Sequence, residues 1–179
     1  MSNFSFVTDP TLRSNLDRSF AHIIDLLALS ESETYKGKGL LVSSLRKTII
    51  IHTASIIEAL LFWKLKEEYN VKKIELIDEW KYIDMRIIHQ ISSSEEVIAG
   101  KRKKEVKDMN KLDFLRVTDL CYKYKILKPQ SLRSEVDRVR ELRNRLHIGG
   151  LVSVEKEYTK EDLEFCFNVA RKIKNLVQQ

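Results

Sequence analysis

Residues 49–63, IIIHTASIIEALLFW, constrain this chain more than any other stretch. At about 100° per residue a helix turns these apolar side chains to nearly every side, whereas a surface helix shows one apolar stripe. The surrounding pattern runs as a helix from about Gly39 to Glu68, and a helix apolar all round belongs at the centre of a bundle or at a subunit interface. The run itself is shorter than the ~20 residues of a bilayer span, and it contains His52 and Glu58. The expectation is a soluble protein without a membrane segment.

Elements that can cover such a helix lie on both sides of it. Asp9-Pro10-Thr11 reads as a helix start, with Asp9 as cap and Pro10 in the first turn, and Leu12, Leu16, Phe20, Ile23, Ile24 and Leu27 then mark an apolar face to about Leu29. SESETYKGKG (30–39) is a loop. The alternation in YIDMRIIHQI (82–91), the turn-like SSSEE (92–96) and the following EVIAGKRKKEV predict a β-hairpin inserted at about 80–105. LDFLRVTDLCYKYKIL (112–127) predicts a helix ended by Lys128-Pro129. A further helix opens near Ser131 and closes at Gly149-Gly150, and a last one starts at a Thr159/Asp162 capping box with Leu163, Cys166, Phe167, Ala170, Ile173 and Val177 on its inner face. With 5 Gly and 2 Pro in 179 residues, the fold class is mainly α: a single domain of about five helices with a small β-hairpin insertion.

Other chemistries lack their motifs. MSNFSFVTDP lacks the basic and apolar regions of a signal peptide, and Cys121 and Cys166 lie far apart on apolar positions, as reduced core cysteines of a cytoplasmic protein do. His22, His52 and His89 have no metal-ligand spacing, and no phosphate loop, dinucleotide fingerprint or nucleophile elbow is present. No metal and no cofactor are expected. His52, Trp63 and Trp80 read as packing groups.

VDRVRELRNRLHIGG (136–150) breaks the ordinary pattern. On a helix, Leu132, Val136, Val139, Leu142 and Leu146 share a sector of roughly 120°, and Arg143 falls inside it. Arg140 and His147 flank that arginine and Asn144 is one step further round. A charge is not buried alone, so a partner is required, and Glu58 is the one acid embedded in the central helix. It either anchors Arg143 or Arg140 structurally or orients one of them for chemistry. His147, four residues beyond Arg143 and seven beyond Arg140, suits proton transfer at a phosphodiester held by the two guanidinium groups. The ribose 2′-OH of RNA supplies its own nucleophile, so no metal is required.

"LRNRLHIGG" resembles the signature of the HEPN superfamily, helical domains marked by an arginine, a following polar residue and a histidine downstream. The likeness extends to RKTIIIHTASIIEALL (46–61), to EEVIAGKRKKEVKDMNKLDFLRVTDL (95–120) and to the closing amphipathic helix. The resemblance implies a metal-independent endoribonuclease of bacterial toxin or anti-phage type, or a degenerate RNA-binding relative. It implies a homodimer with one composite site, His147 as general base or acid, Arg143 or Arg140 as phosphate-binding arginine and Asn144 as the orienting polar residue. An antitoxin or nucleotidyltransferase partner is a further implication. Arg143 leaves three residues before His147 and Arg140 leaves six, against a family spacing of four to six.

The net charge of +6 is partly local, since KRKKEVKDMNK (101–111) holds six basic residues against two acids. Lys101, Arg102, Lys103 and Lys104 are candidate RNA contacts, or else a solvated strand edge that resists aggregation. The rival to an enzyme is a non-catalytic helical interaction module, in which the arginines pair with Glu58 and His147 caps the helix C-terminus.

Overall fold

The computed structural model describes residues 2–68, 78–106, 111–145 and 157–179, with only the backbone of 78–80 and 104–106. Two compact units result. Met1–Glu67 and Asp113–Gln179 form a helical unit, and Glu68–Leu112 form a second unit inserted into it. Among the described residues the helices are α1 (Pro10–Ser30), α2 (Gly39–Glu68), α3 (Phe114–Lys123), α4 (Gln130–Asn144) and α5 (Lys160–Val177), and the strands are β1 (Asp78–Gln90) and β2 (Glu96–Val106).

Helix α2 is the axis of the helical unit. Ile49, Ile50, Ala54, Ile57, Leu60, Leu61 and Leu65 are fully buried, and their distribution around the helix explains why so little sidedness is visible in its sequence. By length and composition α2 is apolar enough to cross a membrane, so the shortness of the 49–63 run does not by itself exclude a span. Half of its most apolar window is buried against the rest of the unit, as in the core helix of a bundle.

The other helices cover α2 with one apolar stripe each. In α1, Asp9 caps the helix by accepting from the amides of Thr11 and Leu12, and Leu16 and Ile23 point inward. The N-terminal segment adds Phe4 and Val7 to the core, and Phe6 stands edge-on to Trp63 at 5.8 Å. In α5 the capping box of Thr159 and Asp162 forms as its residue types predict, and Leu163, Cys166, Val169, Ile173 and Val177 are buried. A cavity of about 320 Å³ lies between α1, α2 and α5, lined among others by Phe20, Ile23, Ile56, Leu60 and Phe167.

Helix α3 ends earlier than Lys128-Pro129 predicts. It stops at Lys123, Lys125 takes φ 61°, and the amides of Ile126 and Leu127 return to the carbonyl of Cys121 at 2.8 and 3.0 Å. This is the closing pattern that glycine usually makes. Here the burial of Ile126 and Leu127, 6% and 1% exposed, offsets the cost of a lysine in the left-handed region. The Lys128-Pro129 peptide is cis, and α4 begins directly after it.

The predicted close of α4 at Gly149-Gly150 falls outside the described residues. Among the described residues α4 runs to Asn144, with Arg145 as cap. Leu132, Val136, Val139 and Leu142 are buried, as the stripe predicts. Tyr158, just before α5, then fastens α2 to α4. Its amide donates to Ser43 Oγ at 2.9 Å, its hydroxyl donates to the Leu142 carbonyl at 3.3 Å, and its carbonyl accepts from Arg46.

In the inserted unit β1 and β2 form an antiparallel hairpin, with Lys81 opposite Lys103, Tyr82 opposite Arg102 and Ile87 opposite Ile98. Register shifts between Ile83 and Arg86 and between Ile87 and His89 place the extra residues on β1, and Asp84 at φ 54° marks the first.

Candidate functional site

The arginine inside the apolar stripe is explained by a cleft. Helix α4 packs against α3 and α5, and the last turns of α4 meet the start of α3 beside α2. There Glu58, Asp113, Phe114, Leu115, Arg140, Arg143 and Asn144 line an open space of about 520 Å³. The stripe is thus interrupted where packing gives way to a cavity. Arg143, Arg140, Asn144 and Glu58, all singled out from sequence, come together in it.

Each charge has a partner. Arg143 Nη1 donates to Glu58 Oε2 at 2.9 Å, with the two side chains 32% and 25% exposed. Its guanidinium also stands 5.9 Å from the centre of the Phe114 ring, within cation–π range. Arg140 does not share Glu58: its Nε faces Asp137 Oδ1 at 3.6 Å, and Asp137 also meets Arg133 Nε at 4.0 Å. The two arginines, one turn apart on α4, therefore face different acids, Arg140 without a hydrogen bond from its Nε, and both still line the cleft.

Burial raises the Glu58 carboxyl above the ordinary carboxylate range. The charge of Arg143 and its hydrogen bond pull the other way, and the nearby Asp113 reinforces the rise. The cleft thus holds an acid that is reluctant to ionise beside a fixed cation. Such a group is able to shift its partner's contacts as its own proton comes and goes.

Asp113 belongs to no apolar stripe and to no charge cluster of the sequence. Its Oδ1 accepts from the Arg116 amide at 2.8 Å, making it the N-cap of α3, and it lines the cleft. The signal that finds it is cap grammar, an aspartate immediately before an apolar helical run.

His147 lies outside the described residues, as does Leu146. Lys101, Arg102 and Lys103 are exposed on β2 of the inserted unit, whereas for Lys104 only the backbone is described. His52 is partly buried on α2 and stacks on His22 at 5.6 Å; burial first, and then His22, hold it below the usual histidine range. Among the described residues no three His, Cys, Asp or Glu side chains gather as a metal ion would need.

The chain matches no protein-family model, no curated protein and no solved structure.

Proposed function

We propose that the chain is a HEPN-like, metal-independent endoribonuclease of bacterial toxin or anti-phage type, working in the cytoplasm as a homodimer. The observation that carries the reading is the convergence of Arg140, Arg143 and Asn144 on one open cleft of about 520 Å³, where a core-facing helix would otherwise be sealed. In this reading the two guanidinium groups hold the scissile phosphate and stabilise the charge that grows on its oxygens. His147 takes the proton of the ribose 2′-OH or delivers one to the departing 5′-oxygen, a partner group performing the other transfer. The 2′-oxygen forms its bond to phosphorus as the bond to the 5′-oxygen breaks, leaving a 2′,3′-cyclic phosphate and a 5′-OH. Asn144 orients the phosphate, Glu58 fixes Arg143, and Lys101, Arg102, Lys103 and Lys104 add contacts to the RNA backbone. An antitoxin or nucleotidyltransferase would restrain such an activity.

A second reading is favoured by one observation. The 2.9 Å ion pair between Arg143 and Glu58 is what a non-catalytic module would use to bury its arginine. Incubation of the purified chain with end-labelled RNA in EDTA, beside His147→Ala and Arg143→Ala, separates the two. Cyclic-phosphate ends made by the wild type and lost in both folded variants are expected. Equal cleavage by wild type and variants, or none by a wild type freed of any co-purifying protein, would overturn the enzymatic reading in favour of the module.

A further inference from the structure

Three helices of the helical unit leave an apolar space among them. The cavity of about 320 Å³ has its floor on α2, where Ile56 and Leu60 are buried, and its walls on α1 and α5. Phe20, Ile24 and Leu27 share one face of α1, and Phe167, Ala170, Arg171 and Lys174 share one face of α5, at helical spacings of three, four and seven residues. The volume lies at the small end of the roughly 300–1,000 Å³ that ligand pockets occupy. A buried water needs about two to four polar partners. The floor offers the Thr53 hydroxyl, whose proton already goes to the Ile49 carbonyl at 2.8 Å. The floor therefore suits hydrocarbon.

The two ends of the cavity differ. Phe4 stands edge-on to Phe20 at 6.2 Å, and Lys174 Nζ lies 5.6 Å from the centre of the Phe4 ring. Arg171 is one turn before Lys174 and Asn3 adjoins Phe4, so three polar lining residues gather near this end. Leu27 lies about 10 Å further along α1 than Phe20, and Phe167 as far back along α5 from Lys174. The cations here are not taken up by acids. Lys172, on another face of α5, meets Glu135 at 2.7 Å, whereas Arg171 gives one N–H to Asn168 Oδ1 at 2.7 Å and Lys174 stands over the Phe4 ring. Among the described residues neither Arg171 nor Lys174 meets a carboxylate, and no acid lines the cavity. Asp17, one turn before Phe20, accepts from the Asn3 amide at 3.1 Å and is not part of the lining.

An apolar space with positive charge at one end is complementary to a short hydrocarbon chain that carries an anionic head. A polyanion such as RNA has no hydrocarbon to place there, and a two-chain lipid is too large for about 320 Å³. We propose that the cavity between α1, α2 and α5 binds a medium-chain fatty carboxylate, with its chain along Phe20, Ile56 and Leu60 and its head at Arg171 and Lys174. A guanidinium that has spent one N–H on Asn168 keeps others for a carboxylate, and the lysine adds a point charge. The site uses no residue of the Arg143 cleft and does not depend on the ribonuclease reading.

The test is isothermal titration calorimetry of the full chain, stripped of co-purifying lipid, with decanoate kept below the concentration at which it forms micelles. Saturable binding of one decanoate per chain is expected, with a negative heat-capacity change from the buried chain. Decanol, which has the same chain and no charge, is expected to bind about fivefold more weakly. The double variant Arg171→Gln, Lys174→Gln brings decanoate down to the level of decanol and leaves decanol unchanged. Ala170→Phe fills the space from the wall of α5 and removes both. Ile24→Glu places an acid at a position that is 52% exposed, where folding tolerates it, and weakens decanoate by about tenfold. Circular dichroism of each variant shows that it is folded; should Ala170→Phe unfold, Ile24→Glu carries the test. A wild type that takes up no decanoate, a double variant that binds it as the wild type does, or binding that Ile24→Glu leaves intact would each overturn the proposal.

Discussion

Replacing Arg143 by alanine removes the only cation facing Glu58 in the described cleft, and its consequence depends on pH in a calculable direction. At about 4 Å and an effective dielectric constant near 20, the gross attraction of such a pair is about 4 kcal/mol, most of which desolvation offsets. Exposed pairs contribute about 0.2–1 kcal/mol, and breaking fully buried ones costs about 3–5 kcal/mol. With side chains 32% and 25% exposed at 2.9 Å, this pair lies between those limits, and a coupling of about 1.5 kcal/mol is expected. Urea unfolding of wild type, Arg143→Ala, Glu58→Gln and the double variant gives that coupling as a double-mutant cycle. The pair needs Glu58 ionised, and its folded pKa is raised, so the coupling is full above that raised value and fades as the pH falls through it. The intrinsic contribution of the raised carboxyl has the other sign. The folded chain holds the proton more tightly than the unfolded one, so stability falls as the pH rises from about 4.5 through the folded pKa. That fall is steeper in Arg143→Ala, where burial and Asp113 act unopposed. His52, held low in the folded state, adds a slope that rises with pH below 6.5, but all four variants carry it and the cycle cancels it. A coupling below about 0.3 kcal/mol at neutral pH, or one that does not change on acidification, would refute the assignment of Glu58 as the anchor of Arg143.

Asp113 has separable roles as a cap and as a charge. Asp113→Ala is expected to lose about 1 kcal/mol in chemical denaturation, while Asp113→Asn keeps the cap and shifts the Glu58 titration down by removing one of the causes that raise it. Burial pushes the Cys166 thiol up to about 12, and Cys121 is buried as well, so neither reacts with a thiol reagent at pH 8 until the chain is unfolded. Rapid reaction in the native state would contradict the packing of α5 on α2.

What the sequence makes legible follows from how local the physics is. Asp9 with Pro10, and Thr159 with Asp162, specify helix starts because a side chain reaches an amide two or three residues away. The all-round apolar character of α2 places it in the core because no other site offers water-free neighbours on every side. The helix end that differs has a tertiary cause. Helix α3 closes on Lys125, a residue with no preference for that conformation, because Ile126 and Leu127 are buried by doing so. The cleft was half visible for the same reason. A charge inside a stripe demands a partner, so Arg143 leads to Glu58, but only packing tells which arginine reaches it and that Arg140 turns to Asp137 instead. Which hairpin residues share a face emerges from strand register and not from simple alternation, since both bulges lie on β1.

Glu58 is carried by the helix that is least free to move. On α2 it is flanked by Ile57, Leu60 and Leu61, all fully buried, and it points about 140° away from Thr53, which lines the cavity beneath α1. Amides in such a helix exchange with solvent only when the whole unit opens, at the full free energy of unfolding. The carboxyl that holds Arg143 is therefore expected to share the lifetime of the native state itself.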